Sequence, residues 1–277
     1  MVGDARRATL AISNFLRQHD LVQVQWVTLS SGKPGTPQRD GLRHRESYRS
    51  VQDPNQSGLP FVVDGLLVIV GGGAVDVPLL KWLSAQGARL VGADSGGDAI
   101  MEAGLVPDAI IGDLDSISDP EGWPEATRVF HIGEQITTDF EKSLYSTRAP
   151  VTVALGMTGR RFDHTLSAIS AATRFARERR IILSDEHDVA LAMSGPFAFR
   201  LPKGERVSIY PLAPIDFVHS EGLLYPLDGL HLEQGGLIGT SNESLTESIE
   251  IEPADDTPWL LIVEKSHLPA LLSALRR

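Results

Sequence analysis

Cysteine is missing altogether from the 277 residues. That absence excludes disulfides, thiolate metal sites and cysteine nucleophiles in one step, and it fits a reducing compartment. Long apolar runs are missing too, since none approaches the ~18 residues a membrane-spanning helix needs. The basic residues near the N-terminus are not followed by an apolar stretch, so no secretory signal is read there and a cytoplasmic location is expected. Positive charge is scarce: 25 Lys/Arg face 36 Asp/Glu, a formal net charge of −11. The deficit is uneven. Residues 1–60 carry eight basic and five acidic side chains, which leaves 17 against 31 for the remainder. An acidic body argues against a nucleic-acid partner, which would want a basic face. Two familiar phosphate motifs are also absent. There is no Gly-x-x-x-x-Gly-Lys-Ser/Thr loop, and Gly71-Gly72-Gly73 is followed by Asp76 where a dinucleotide fingerprint needs its third glycine.

What is there suggests one large or two modest domains: 42% of residues are hydrophobic, enough for sizeable cores. Residues 1–60 read as a flexible extension. A short helix is expected from Ala8 to Leu16, and Ser30 to Pro60 is rich in Ser, Gly, Pro, Gln and Arg without an apolar period. Order is expected from about Gly65. Leu66-Leu67-Val68-Ile69-Val70, ending in three glycines, reads as a buried strand and a turn. A helix follows, with Asp76 as cap, Pro78 in its first turn and Leu79, Leu80 and Leu83 as its stripe. Strands at 89–93, 109–112, 151–155 and 180–184 alternate with helices at 98–103, 138–147 and 162–177. Such alternation builds a parallel sheet with flanking helices over residues 61–186. After Glu186 short strands at 189–193, 197–201, 206–210, 248–251 and 259–263 are punctuated by Gly and Pro, which predicts an all-β module, a sandwich or barrel, over 187–277 with a terminal helix from His267 to Arg276.

Ligands in open α/β sheets bind at the carboxyl ends of the strands. Asp94 ends one strand, and Asp113 and Asp115 follow another. Two carboxylates two residues apart can turn to one side of an extended chain, where they repel unless a hard divalent cation such as Mg²⁺ takes their oxygens. Thr138-x-x-Glu141 is a capping box that sets Asp139 in the first turn of a helix. Asp139 could complete a metal site, and Lys142, three residues on, could hold a phosphate. Gly159-Arg160-Arg161-Phe162-Asp163-His164 enters another helix, and its arginine pair suits phosphate oxygens. Gly239-Thr240-Ser241-Asn242-Glu243 reads by itself as a turn. A solvated acidic turn, a helix cap with a surface ion pair, and an aspartate cap are the structural alternatives for the first three clusters.

In order and spacing these segments resemble the thiamine pyrophosphokinase family. The matching stretches are Ala93-Asp94-Ser95-Gly96-Gly97, Pro107 to Ser116, Thr138-Asp139-Phe140-Glu141-Lys142, Arg161 to Leu166, Gly222 to Leu227, and Ser241-Asn242-Glu243. The resemblance spans about 65–263. It implies an α/β domain with a β-sandwich, a homodimer with thiamine at the interface, and transfer of the two terminal phosphates of ATP to thiamine. By carry-over, Asp113, Asp115 and Asp139 would hold Mg²⁺. Catalysis would rest on these three with Lys142 and Asp163, and Asp163 is the one candidate general base. Asp94, Gln135, Thr138, Arg161, His164, Tyr225, Ser241 and Asn242 would line the substrate sites, with Tyr225 stacking on the cationic ring. Three positions depart from the family pattern: Ile136 stands for a usual Asp, Arg160 for a usual Gly and Ala168 for a usual Asn. Two other readings stay open. One is an aspartyl-nucleophile phosphatase, since Asp113-x-Asp115 follows an apolar strand. The other is a thiamine or nucleotide sensor without turnover.

Overall fold

A computed structural model of the chain describes residues 60–118 and 122–275. The expected helix at 8–16 and all of the extension but Pro60 lie outside these residues. The chain enters through a short strand, β1 (Phe61–Val62), and then β2 (Leu66–Val70), every residue of which is buried. An apolar run without alternation is what a strand covered on both faces requires. Helix α1 (Val77–Ala85) follows, with Asp76 accepting from the Leu79 N–H at 2.9 Å as its cap. Next come β3 (Arg89–Ala93), α2 (Gly96–Glu102), β4 (Ala109–Gly112), β5 (Arg128–His131), α3 (Asp139–Tyr145), β6 (Thr147–Arg148), β7 (Val151–Leu155), α4 (Phe162–Phe175) and β8 (Arg180–Ser184). The remainder holds β9 (Asp188–Met193), β10 (Phe197–Arg200), β11 (Arg206–Pro211), β12 (Ile215–Glu221), β13 (His231–Leu232), β14 (Gly239–Glu243), β15 (Ser248–Pro253), β16 (Trp259–Glu264), a 3₁₀ turn and α5 (Leu268–Leu275).

The strands form one ten-stranded sheet in the order β14-β11-β16-β9-β8-β7-β2-β3-β4-β5 and a second sheet in the order β10-β15-β12-β13; β1 pairs only with β6. From β8 to β5 all neighbours run parallel, and from β8 to β14 all run antiparallel. This corrects the expectation of a parallel sheet followed by a separate sandwich. The sandwich exists, but one of its sheets continues the α/β sheet without a break. The expected boundary at 186/187 falls in the tight turn between β8 and β9, whose ends pair as Ser184 with Val189.

Each face of the long sheet has its own core. On one face Val68, Val70, Val153 and Ile182 pack with Leu80 and Leu83 of α1, Ile100 of α2 and Leu271 of α5. The same cluster runs on between the two sheets through Leu191, Ile209, Phe217, Ile249 and Trp259. Phe217 meets Trp259 edge-on at 5.9 Å between centroids, which locks the sandwich with a favourable aromatic geometry. On the other face Leu67, Ile69, Val91 and Ile111 pack against Phe140 and Leu144 of α3 and Ala168, Ala171 and Ala172 of α4. The approach of α2 is so close that a Cβ at Gly96 would lie 1.8 Å from the Val70 carbonyl oxygen, so only glycine fits. Among the described residues no helix is long and apolar enough to cross a membrane.

Six strands escaped the sequence reading. β1, β6 and β13 have two residues each, β5 reads Arg-Val-Phe-His, too short and polar for a pattern, and β12 and β14 are interrupted by bulges.

Candidate active site

From β2 the chain moves outward through β3, β4 and β5 and then returns to the other side of β2 as β7. The strand order thus reverses at β2, and α/β sheets bind ligands above such a reversal. A cleft of about 290 Å³ opens there, lined by Gly71–Gly73 after β2, Asp94 and Ser95 after β3, Ser116 beyond β4, Thr138 and Asp139 at the start of α3, and Arg160, Arg161 and His164 entering α4. The turns after β2 and β7 press together on its floor. A Cβ on Gly73 would stand 2.3 Å from the Gly156 carbonyl oxygen, and Gly156 itself has φ +70°.

Asp94, Asp113 and Asp115 bring one carboxylate oxygen each to within 4.8 Å of one another. Asp94 is buried, and one oxygen each of Asp94 and Asp113 is buried without a hydrogen-bond partner. Two buried acceptors without donors are costly unless something positive fills the gap. Backbone geometry enforces the arrangement. Asp94 has φ +50° and Leu114 has φ +62°, so the left-handed residue between Asp113 and Asp115, rather than an extended chain, folds both carboxylates to one side.

The electrostatics differ from one carboxylate to the next. Burial pushes the Asp94 carboxyl above its ordinary range against the Ser95 N–H, helped by the charges of Asp139 and Asp113. Burial also pushes Asp113 up, but hydrogen bonds from Gln135 at 2.7 Å and Lys142 at 3.3 Å outweigh it and hold that carboxyl low. Lys142 is fully buried, and its Nζ lies 2.9 Å from Asp139 and 3.3 Å from Asp113. Burial alone would lower the ammonium pKa, yet the two carboxylates raise it.

The metal set expected from the sequence is Asp113, Asp115 and Asp139. Asp113 and Asp115 are together as expected, but the third carboxylate of the group is Asp94, while Asp139 turns to Lys142. Lys142, expected to hold a phosphate, is buried with its Nζ between two carboxylates. Gln135 is spent on Asp113 rather than left free. Thr138 caps α3, accepting from the Glu141 N–H at 3.4 Å; the carboxylate of Glu141 pairs with Arg174 of α4. Arg161 and His164 line the cleft as expected. Asp163 is exposed and held by both arms of Arg161 at 3.1 and 2.6 Å; that contact lowers its pKa, which weakens it as a base.

One residue was not anticipated. Glu134 accepts from the backbone N–H of Ile136 at 2.7 Å and of Thr137 at 3.1 Å, and from Tyr145 at 3.2 Å. It shapes the loop that delivers Gln135. Its only sequence signal is a carboxylate two residues before the N–H it caps. Ile136 is 85% exposed, so it does not pack on the buried Phe140.

Tyr225, Ser241 and Asn242 lie at the far edge of the long sheet, around β14. Asn242 is buried, and its side chain is fully engaged: it accepts from the N–H groups of Tyr225 at 3.0 Å and Glu243 at 2.8 Å and donates to the Tyr225 carbonyl at 2.7 Å. It is thus a brace for the loop of Tyr225, which stands 64% exposed. Ser241 has φ +59°, and its N–H is held by Ser208 at 3.0 Å.

Two family profiles match the chain, thiamin pyrophosphokinase, catalytic domain, over residues 81–183, and thiamin pyrophosphokinase, vitamin B1 binding domain, over 197–256. A Caenorhabditis elegans protein named thiamin pyrophosphokinase 1 is 33% identical over 173 residues, covering 57% of this chain and 71% of that protein. The chain belongs to the thiamin pyrophosphokinase family. A rice relative of the same family, thiamine pyrophosphokinase 1, is 30% identical over 186 residues, 56% of this chain and 66% of its own length. The crystal structure of the Bacillus subtilis thiamine pyrophosphokinase superposes with a TM-score of 0.61 at 22% identity, over 72% of this chain and 98% of that one, which establishes the shared fold. The first profile runs from α1 into β8, and the second takes in the whole second sheet together with β11 and β14 of the long one.

Proposed function

We propose that this chain transfers the pyrophosphoryl group of ATP to thiamine, giving thiamine diphosphate and AMP, in the cytoplasm where ATP is held. The observation that carries the reading is the carboxylate group at the strand reversal, with two buried oxygens that lack donors. Its donor set of three carboxylates suits a hard cation. Asp94, Asp113 and Asp115 would hold Mg²⁺, which supplies neutralisation of the polyphosphate charge when bound. Asp139 and Lys142 keep Asp113 in place beneath it. Arg161, oriented by Asp163, and His164 face the phosphates from α4. In the transfer the thiamine hydroxyl oxygen bonds to the β-phosphorus and gives up its proton to water, the bond from that phosphorus to the α–β bridging oxygen breaks, and AMP leaves with that oxygen. The chain's contribution is mainly alignment and fixed charge.

Thiamine would meet Tyr225, whose exposed ring offers a face to a cation. From β14 to β4 there are eight strand steps, which at ~4.8 Å each is roughly 38 Å along the sheet. Tyr225 is therefore too remote to share a substrate with the carboxylates of its own chain. That separation supports a homodimer in which one copy provides the nucleotide cleft and the other the thiamine face.

The test is release of AMP from Mg·ATP with and without thiamine. Thiamine-dependent release supports the reading; binding of both without turnover favours a sensor, and a phosphorylated Asp113 favours the phosphatase. The grip of Gln135 and Lys142 on Asp113 argues against its use as a nucleophile.

A further inference from the structure

We propose that Arg160 is a polyphosphate-binding residue of this chain, which exchanges the Gly72 carbonyl for phosphate oxygens when the cleft fills. The proposal rests on the reading of that cleft as the ATP site. Arg160 stands in the loop between β7 and α4, and its Nη1 donates to the Gly72 carbonyl at 3.0 Å, joining positions 88 residues apart across the cleft. Both partners line the cleft.

Two adjacent guanidinium groups are used very differently here. Arg161 is neutralised by Asp163 through two hydrogen bonds. Arg160 is exposed, and among the described residues no carboxylate pairs with it; one of its five donors meets a neutral carbonyl. Guanidinium hydrogen bonds to anions are shorter and stronger than those to neutral acceptors, and the planar fork matches two phosphate oxygens at once. Replacing the Gly72 carbonyl by a phosphate is therefore favourable, and the side chain is already over the opening. Asp94 lines the same cleft and forms an acidic group with Asp113 and Asp115, which repels a polyphosphate unless a cation intervenes. Arg160 supplies positive charge that no carboxylate among the described residues pairs with. At rest it holds the β2 and β7 loops together, so nucleotide entry and release of the Gly72 contact are coupled.

The test is calorimetric titration of wild type, Arg160→Gly and Arg160→Lys with Mg·ATP and with adenosine, alongside thiamine-dependent AMP release. Arg160→Gly should weaken ATP binding by about 10–100-fold, the loss of a hydrogen-bonded charge. Adenosine affinity and the thiamine KM should stay within about two-fold, and Arg160→Lys should recover part of the ATP loss through its charge. Equal weakening of ATP and adenosine, with a lower Tm, would show a loop latch only and overturn the proposal. Unchanged ATP affinity in Arg160→Gly would overturn it while leaving the ATP reading intact. Folded wild type that takes up no ATP would overturn both.

Discussion

The two ends of the long sheet treat their polar groups in opposite ways. Around β3 and β4 the chain buries acceptors without donors and packs carboxylates against one another. Around β14 it does the reverse. Asn242 has every polar atom paired, and the product of that pairing is a fixed loop carrying an exposed ring. The first end is electrostatically incomplete and gains by taking up charge. The second is complete and presents shape. A pyrophosphoryl transfer needs both, a place where polyanion charge is cancelled and a rigid face for an organic cation.

The contrast breaks first at Asp94. Asp94→Asn removes a buried charge that its surroundings disfavour, so the folded chain without cation should melt at the same or a higher temperature. Thiamine-dependent AMP release should fall about 100-fold or more, because charge neutralisation at the phosphates is worth several kcal/mol. Near-normal rates with an unchanged Mg²⁺ midpoint would remove Asp94 from the cation set and restore Asp139 to it.

At the opposite end the larger effect belongs to the brace. Asn242→Ala strips three hydrogen bonds from a buried position and should cost about 1–3 kcal/mol in urea unfolding, with a raised thiamine KM as the loop loosens. A variant of unaltered stability would show that the loop is held by other contacts. Tyr225→Ala should cost less, about 0.5–2 kcal/mol of thiamine binding, or a several-fold rise in KM. Because the ring is exposed, Tm should hardly move, and the ATP KM should not change. A matching rise in both KM values would break the division of labour between the two ends.

The smallest effect lies away from both ends. Asp76 caps α1 and meets Lys265 at 2.7 Å. Burial pushes its carboxyl up, but Lys265 and the Leu79 N–H win and leave it below the ordinary value. A lowered carboxylate contributes stability above its unfolded pKa, and that contribution fades as pH falls through the folded one. Lys265→Ala should therefore destabilise by under about 1 kcal/mol at pH 7. The gap to wild type should close below about pH 4. A gap that persists at pH 3 would assign the loss to packing of the lysine stem.

Much of the architecture was legible in the sequence because its causes are local. Leu66–Val70 is apolar throughout since both faces are covered, and Asp76 and Thr138 announce their helices by capping them. The irregular strands of the sandwich were lost because bulges break their alternation. Around the cleft, Asp113 and Asp115 were found by position after an apolar strand. Which carboxylate lies nearest them is decided in three dimensions, where Asp94 joins the group and Asp139 faces Lys142. Lys142, one turn along α3, claims Asp139, and the left-handed Asp94 is left to face the gap. The lysine at i+3 was visible; its complete burial between two carboxylates was not.

The place of β16 has a consequence for how the chain is made. It inserts between β9 and β11 in the middle of the antiparallel half, yet it begins 66 residues after β9 ends. At ~5–20 residues per second of synthesis, β9 waits roughly 3–13 s with an open, apolar edge before its neighbour emerges. During that interval the parallel half has strands and helices enough to collapse, but the sheet ends in Val189, Leu191 and Met193 with nothing beside them. Unpaired edges of this kind attract other chains. The continuous sheet that joins the two halves thus makes the nascent protein vulnerable to aggregation late in translation, at a strand that lines no part of the nucleotide cleft.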